Sequence, residues 1–127
     1  MIKSLLFVFP IFMAFLCSHP EWTGTEADPE LPSFPGAEGW GSRSVGGRGG
    51  KIIKVTNLHD KGPGSFAEAC ATPGPRIVVF EVSGVIRGNV VIKHPFITIV
   101  GQTAPGAGIT LEGMISSYDY GVHDVII

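Results

Sequence analysis

Residues 76–113 read RIVVFEVSGVIRGNVVIKHPFITIVGQTAPGAGITLEG, and this stretch limits the folds open to the chain more than any other. Four short runs rich in Val and Ile occur in it: Ile77–Val82, Val90–Ile92, Ile97–Val100 and Ile109–Leu111. Gly, Asn or Pro interrupts the sequence soon after each, as at the ends of strands. Ile97-Thr98-Ile99 and Ile109-Thr110-Leu111 alternate apolar and polar side chains, the period of a strand with one buried face. No window shows a helical period. The connections are too short for the crossover helix of a βαβ unit, which disfavours a doubly wound sheet. A sandwich, a barrel or a solenoid remains.

A loose self-similarity bears on that choice. Ile77-Val78-Val79, Ile97-Thr98-Ile99 and Val125-Ile126-Ile127 recur at spacings of about 20 and then about 28 residues, the scale of a stacked repeat. In a parallel β-helix such repeats give short strands to separate sheets around one continuous core. Periodicity alone leaves both solenoid and sandwich open. Eighteen glycines and ten prolines in 127 residues suit either, since both folds are rich in turns. A formal net charge of -2, with no basic stripe interleaved with aromatics, excludes a strongly basic nucleic-acid binder.

Residues 1–18 have the organisation of a secretory signal peptide. Lys3 supplies the positive n-region, and Leu5 to Leu16 is uncharged and apolar. That run is short of the roughly 20 apolar residues a membrane span needs. The reading is therefore a secreted product, extracellular or periplasmic, with no stable membrane anchor. Cleavage is expected after Cys17 or Ser18. Residues 19–33 read as an acidic linker, with Glu21, Glu26, Asp28 and Glu30 set among Pro20, Pro29 and Pro32. The domain then runs over residues 34–127. Once the signal is removed Cys70 has no partner for a disulfide, so packing must supply stability and the thiol reads as a small buried hydrophobe.

Two segments invite functional readings that their spacing answers. Gly46-Gly47-Arg48-Gly49-Gly50-Lys51 resembles a phosphate loop, but Val45 and Ile52 stand where the Walker pattern requires Gly and Ser or Thr. The glycines instead imply positive φ or close backbone approach. Gly62 to Cys70 carries the one helix signal of the mature chain. Ser65 can cap the N-terminus while Glu68 reaches back, and Phe66, Ala69 and Cys70 form one apolar stripe. Pro73 and Gly74 then stop the helix. A short amphipathic helix at Ser65–Ala71 is expected to cap the first coil, with Glu68 structural.

No catalytic constellation follows from the remaining polar residues. His19, His59, His94 and His123 lack the spacing that places two imidazoles on one metal, and no G-x-S-x-G occurs. Asp119 and Asp124 could offer calcium oxygens, yet two carboxylates without a loop pattern read better as solvated turn residues. Arg43, Arg48 and Lys51 could meet a polyanion, though isolated surface cations are the commoner case. Candidate site residues are therefore none: catalytic none, cofactor-binding none, metal none.

Four segments carry a family resemblance: FPGAEGWG (Phe34 to Gly41), GGRGGKIIKVTNL (Gly46 to Leu58) with the DKGPGSF after it, GPRIVVFEVSG (Gly74 to Gly84) and ITIVGQTAPGAGI (Ile97 to Ile109). Together they resemble the N-terminal third of a bacterial pectate lyase of polysaccharide lyase family one. The resemblance implies an all-β fold, a right-handed parallel β-helix present as its N-terminal coils only, with a short capping α-helix. It implies an activity too, cleavage of polygalacturonate by β-elimination, with calcium acidifying a C5 proton that an arginine removes. Family catalytic and calcium positions would lie beyond Ile127, so none is carried onto this chain. The expectation is a scaffold portion, inactive alone, from an exported enzyme that needs calcium and acts on acidic polysaccharide. A monomer is expected of a complete protein, and self-association of this portion. A non-catalytic β-helix that binds carbohydrate or serves as a surface structure is the alternative; a β-helix glycoside hydrolase would need paired acidic residues.

Overall fold

The structure is a computed structural model that describes residues 31–117 and 121–127. The signal peptide expected over residues 1–18, most of the expected linker, and Trp22, His19 and Asp119 lie outside the described residues. Eight strands and one helix make up the regular structure: β1 (Lys51–Val55), α1 (Phe66–Ala71), β2 (Arg76–Phe80), β3 (Gly84–Arg87), β4 (Val90–Val91), β5 (Ile97–Val100), β6 (Ile109–Glu112), β7 (Ile115–Ser116) and β8 (Val125–Ile126). Strands thus dominate the regular structure, and beside the six-residue α1 the described residues hold one 3-10 turn, Gly101–Thr103. β3 and β7 escaped the sequence reading because neither holds the length of apolar residues that marks a strand.

All strand pairs are parallel, and they fall into three sheets ordered β1-β2-β5-β8, β3-β6 and β4-β7. Two successive passes, β2-β3-β4 and β5-β6-β7, each give one strand to each sheet in turn, while β1 and β8 extend the largest sheet alone. From β2 onward short turns suffice, because strands of the other two sheets connect parallel neighbours, whereas β1 and β2 are joined through a helix, α1. Val78, Phe80, Ile86, Val90, Ile97 and Ile99 point inward and are closed to solvent, each burial worth roughly 1.5–3 kcal/mol. Phe66 and Phe80 meet inside at a ring separation of 5.3 Å. A cavity of about 260 Å³ lies further along, lined by Phe80, Ile86, Ile99, Ile109, Leu111 and Ile115.

The pairing register corrects the repeat read from sequence. Ile97 stands opposite Arg76, not Ile77, while Val125 stands opposite Ile97 as aligned. A one-residue slip exchanges inner and outer faces, so the difference is not cosmetic. In β2 the inward residues are Arg76, Val78 and Phe80. A charged residue at the first inward position broke the apolar pattern and displaced the sequence alignment by one.

α1 forms where the capping signal placed it, with Ser65 as N-cap and Phe66, Ala69 and Cys70 buried. The Glu68 amide donates to Ser65 Oγ at 3.3 Å. The Glu68 carboxylate, however, accepts from Gly64 N at 2.8 Å and not from Ser65 N, which donates to Gly62 O. A turn at Gly62–Ser65 already satisfies the Ser65 amide, so the carboxylate takes the next free donor. The helix packs against β4 and β1, each the first strand of its sheet.

Candidate functional site

Residues 31–50 form no strand, yet they are fixed along the outside of the largest sheet. Gly50 lies against Pro75, Gly47 against Arg76, Gly46 against Thr98 and Ile126, and Ser44 and Val45 against Asp124. The segment therefore crosses the starts of β2, β5 and β8 as a strap. Close approach explains the glycines. A Cβ on Gly47 would overlap the Arg76 carbonyl, and one on Gly46, whose φ is +54°, would strike Thr98 Oγ1. The strap's backbone amides find side-chain acceptors: Gly47 N donates to Thr98 Oγ1 at 2.9 Å, and Val45 N to Asp124 Oδ1 at 3.0 Å.

Asp124 is the farthest tie. Its Oδ1 also accepts from Ser44 Oγ at 3.2 Å, and its Oδ2 lies 2.7 Å from His123 Nδ1. Burial pushes this carboxyl up, but the hydrogen bonds from His123, Val45 and Ser44 outweigh it and hold the group below the usual aspartate range. Asp124 is thus a structural anchor and more than a solvated turn residue. Its backbone sits in the left-handed region, at φ +53°, as does that of Phe96, at φ +60°. Both residues directly precede strands of the same sheet, and the Phe96 ring meets His123 edge-on at 4.8 Å. Their carbonyls accept from the strand starts, Phe96 O from Arg76 N and Asp124 O from Ile97 N.

Arg76 is wholly buried, and sequence reasoning missed it. Its guanidinium has five N–H donors, and each meets a backbone carbonyl: Ala69 at 3.1 Å, Cys70 at 2.8 Å, Gly74 at 3.0 Å, His94 at 3.1 Å and Pro95 at 3.0 Å. One side chain thereby pins the C-terminus of α1 and the turn into β5, and the helix's terminal carbonyls favour the positive charge. Burial draws the Arg76 pKa downward, and it pushes the Cys70 thiol up to about 12. Cys70 is accordingly a buried hydrophobe, as its setting in the stripe suggested.

The GQTAPG turn has a comparable mechanical role. Thr103 Oγ1 accepts from Phe80 N at 2.8 Å and donates to Val100 O at 2.7 Å, joining the ends of β2 and β5. On the outer faces, Lys54 pairs with Glu81 at 2.6 Å and Arg87 with Glu112 at 2.8 Å, both exposed. The three cations weighed for a polyanion do not form one cluster. The Arg48 guanidinium donates to the carbonyls of Leu31 and Pro32, whereas Arg43 is exposed on the strap and Lys51 at the start of β1. Among the described residues no group of three or more His, Cys, Asp or Glu is arranged to hold a metal ion. None of the described helices is long and apolar enough to cross a membrane.

Comparison with known proteins bears on this frame. The chain is similar to part of several fungal proteins named probable pectate lyase C. In the Aspergillus flavus protein, 84 residues match at 52% identity, covering 65% of this chain and 20% of the relative. In the Aspergillus fumigatus protein, 90 residues match at 48%, covering 70% and 21%. The Emericella nidulans protein matches at 52% over 84 residues. The chain thus spans about a fifth of these relatives, less than the third that the motifs suggested. These relatives are fungal, and they lend no support to a bacterial origin of the resemblance. No family model matches, and no solved structure does.

Proposed function

We propose that residues 34–127 are the opening coils of a right-handed parallel β-helix in an exported pectate lyase. The parallel, three-sheet pairing carries this reading, because every pass round the chain lays a strand on the preceding one. Identity of 48–52% to proteins named as pectate lyases supports the same reading. In this view α1 caps the stack, the strap fixes its flank, and residues 1–18 export the product. The substrate is an acidic polysaccharide of the polygalacturonate type, cleaved by β-elimination.

The donors described here do not fit calcium. Asp124 is occupied by Ser44, Val45 and His123, and among the described residues no group of three or more potential ligands forms around it. No step through the ion is therefore assigned to this chain, whose own contribution is the scaffold on which later coils align. Replacement of the matching fifth of the Aspergillus flavus relative by residues 34–127 tests the proposal. A folded chimera should release unsaturated product from polygalacturonate, followed by ultraviolet absorbance, within about tenfold of its parent. It should lose that rate on chelation. A folded but inactive chimera that still binds the polymer would favour the non-catalytic carbohydrate-binding alternative. A calcium-dependent rate from the 127-residue chain alone would contradict the scaffold assignment.

A further inference from the structure

Trp40 stands wholly in water on a part of the strap that is otherwise well tied. Ser33 N donates to Ser42 O at 2.7 Å, and Ser33 Oγ reaches Gly41 O at 2.6 Å and Ser44 O at 3.0 Å. Ser42 N closes the turn onto Gly39 O at 3.1 Å. The indole is therefore presented by a braced turn. Beside it Arg43 is exposed and makes no ion pair among the described residues. Gly39, Trp40, Ser42 and Arg43 line one shallow hollow. Of the nearby cations only Arg43 lines this hollow, since Arg48 is held by the carbonyls of Leu31 and Pro32.

We propose that Trp40 and Arg43 form a surface subsite for one uronic acid ring of an acidic polysaccharide, an inference that rests on the substrate class proposed above. A pyranose ring carries a face of C–H bonds that covers an aromatic ring, and its carboxylate matches the planar fork of a guanidinium. A neutral sugar would engage the indole alone, so the pair selects for charge. The subsite lies on the strap, outside the sheets, and holds a polymer chain without taking part in its cleavage.

The test uses both the 127-residue chain and the chimera. With Trp22→Phe, Trp40 is the sole indole of the chain, and its emission should respond saturably to polygalacturonate and far less to neutral galactan. In affinity electrophoresis through polygalacturonate, W40A and R43Q should each weaken retention about tenfold. R43K, which keeps charge without the fork, should lie between. Unchanged retention in both W40A and R43Q would overturn the subsite, whatever the chimera's lyase rate. Equal response to galactan would overturn the role of Arg43. Protection of Trp40 from iodide quenching in the chimera, before polymer is added, would mean that the rest of the protein covers it, and would overturn the subsite too. An inactive chimera that retains Trp40-dependent binding would reject the lyase reading and leave the subsite standing.

Discussion

Inside the sheets, Val78, Ile97, Ile86 and Val90 are excluded from water, and their order follows from side-chain period and parallel pairing. Along the strap, residues 31–50 bury no comparable apolar set and form no strand. Glycines bring that backbone close, and Thr98 and Asp124 accept its amides. The interior draws stability from many weak, non-directional contacts, so loss of one methylene costs only about 1 kcal/mol. The strap depends on a few directional bonds, each with no substitute. Arg76 joins the two regimes, since its guanidinium works inside while its carbonyl lies under Gly47.

The sharpest way to break this contrast is Arg76→Met. It keeps much of the apolar stem but leaves five carbonyls without their donor, and should cost about 3–5 kcal/mol, read as a fall in the denaturant midpoint. Arg76→Lys should recover only part, because an ammonium cannot reach five acceptors. A loss below 1 kcal/mol would show that water replaces the guanidinium. Next in size, Gly47→Val should cost about 2–4 kcal/mol by forcing the strap off the Arg76 carbonyl. Hydrogen exchange should then rise over residues 41–50 more than in β2 and β5.

Asp124→Asn should have a smaller effect, about 1–3 kcal/mol, through weakened bonds to Ser44, Val45 and His123. The pH dependence has a definite sign. Because the folded carboxyl lies below its ordinary value, its stabilisation is complete above the unfolded pKa and disappears as pH falls through the folded one. Wild type should therefore lose stability on acidification over that window, and Asp124→Asn should show a flatter profile there. Ser65→Ala is expected to be mildest, about 0.5–2 kcal/mol, from the lost cap. It should act on α1 and leave exchange in the strap unchanged.

Sequence alone determined the class of structure and one of its details. Short Val- and Ile-rich runs, cut by glycine and linked without room for a helix, forced an all-β arrangement, and Ser65 with the Phe66-Ala69-Cys70 stripe marked α1. These features are local, so local pattern suffices to read them. Register, Arg76 and the strap were decided by tertiary structure. Arg76 looks like a surface cation because its five acceptors come from residues 69–70, 74 and 94–95, which only the returning chain brings together. Glycines 46 and 47 announced close approach without naming Thr98 and Arg76 as the surfaces approached. Asp124 gave no sign of its ties to Ser44 and Val45, because a hydrogen bond spanning some eighty residues leaves no period in the sequence.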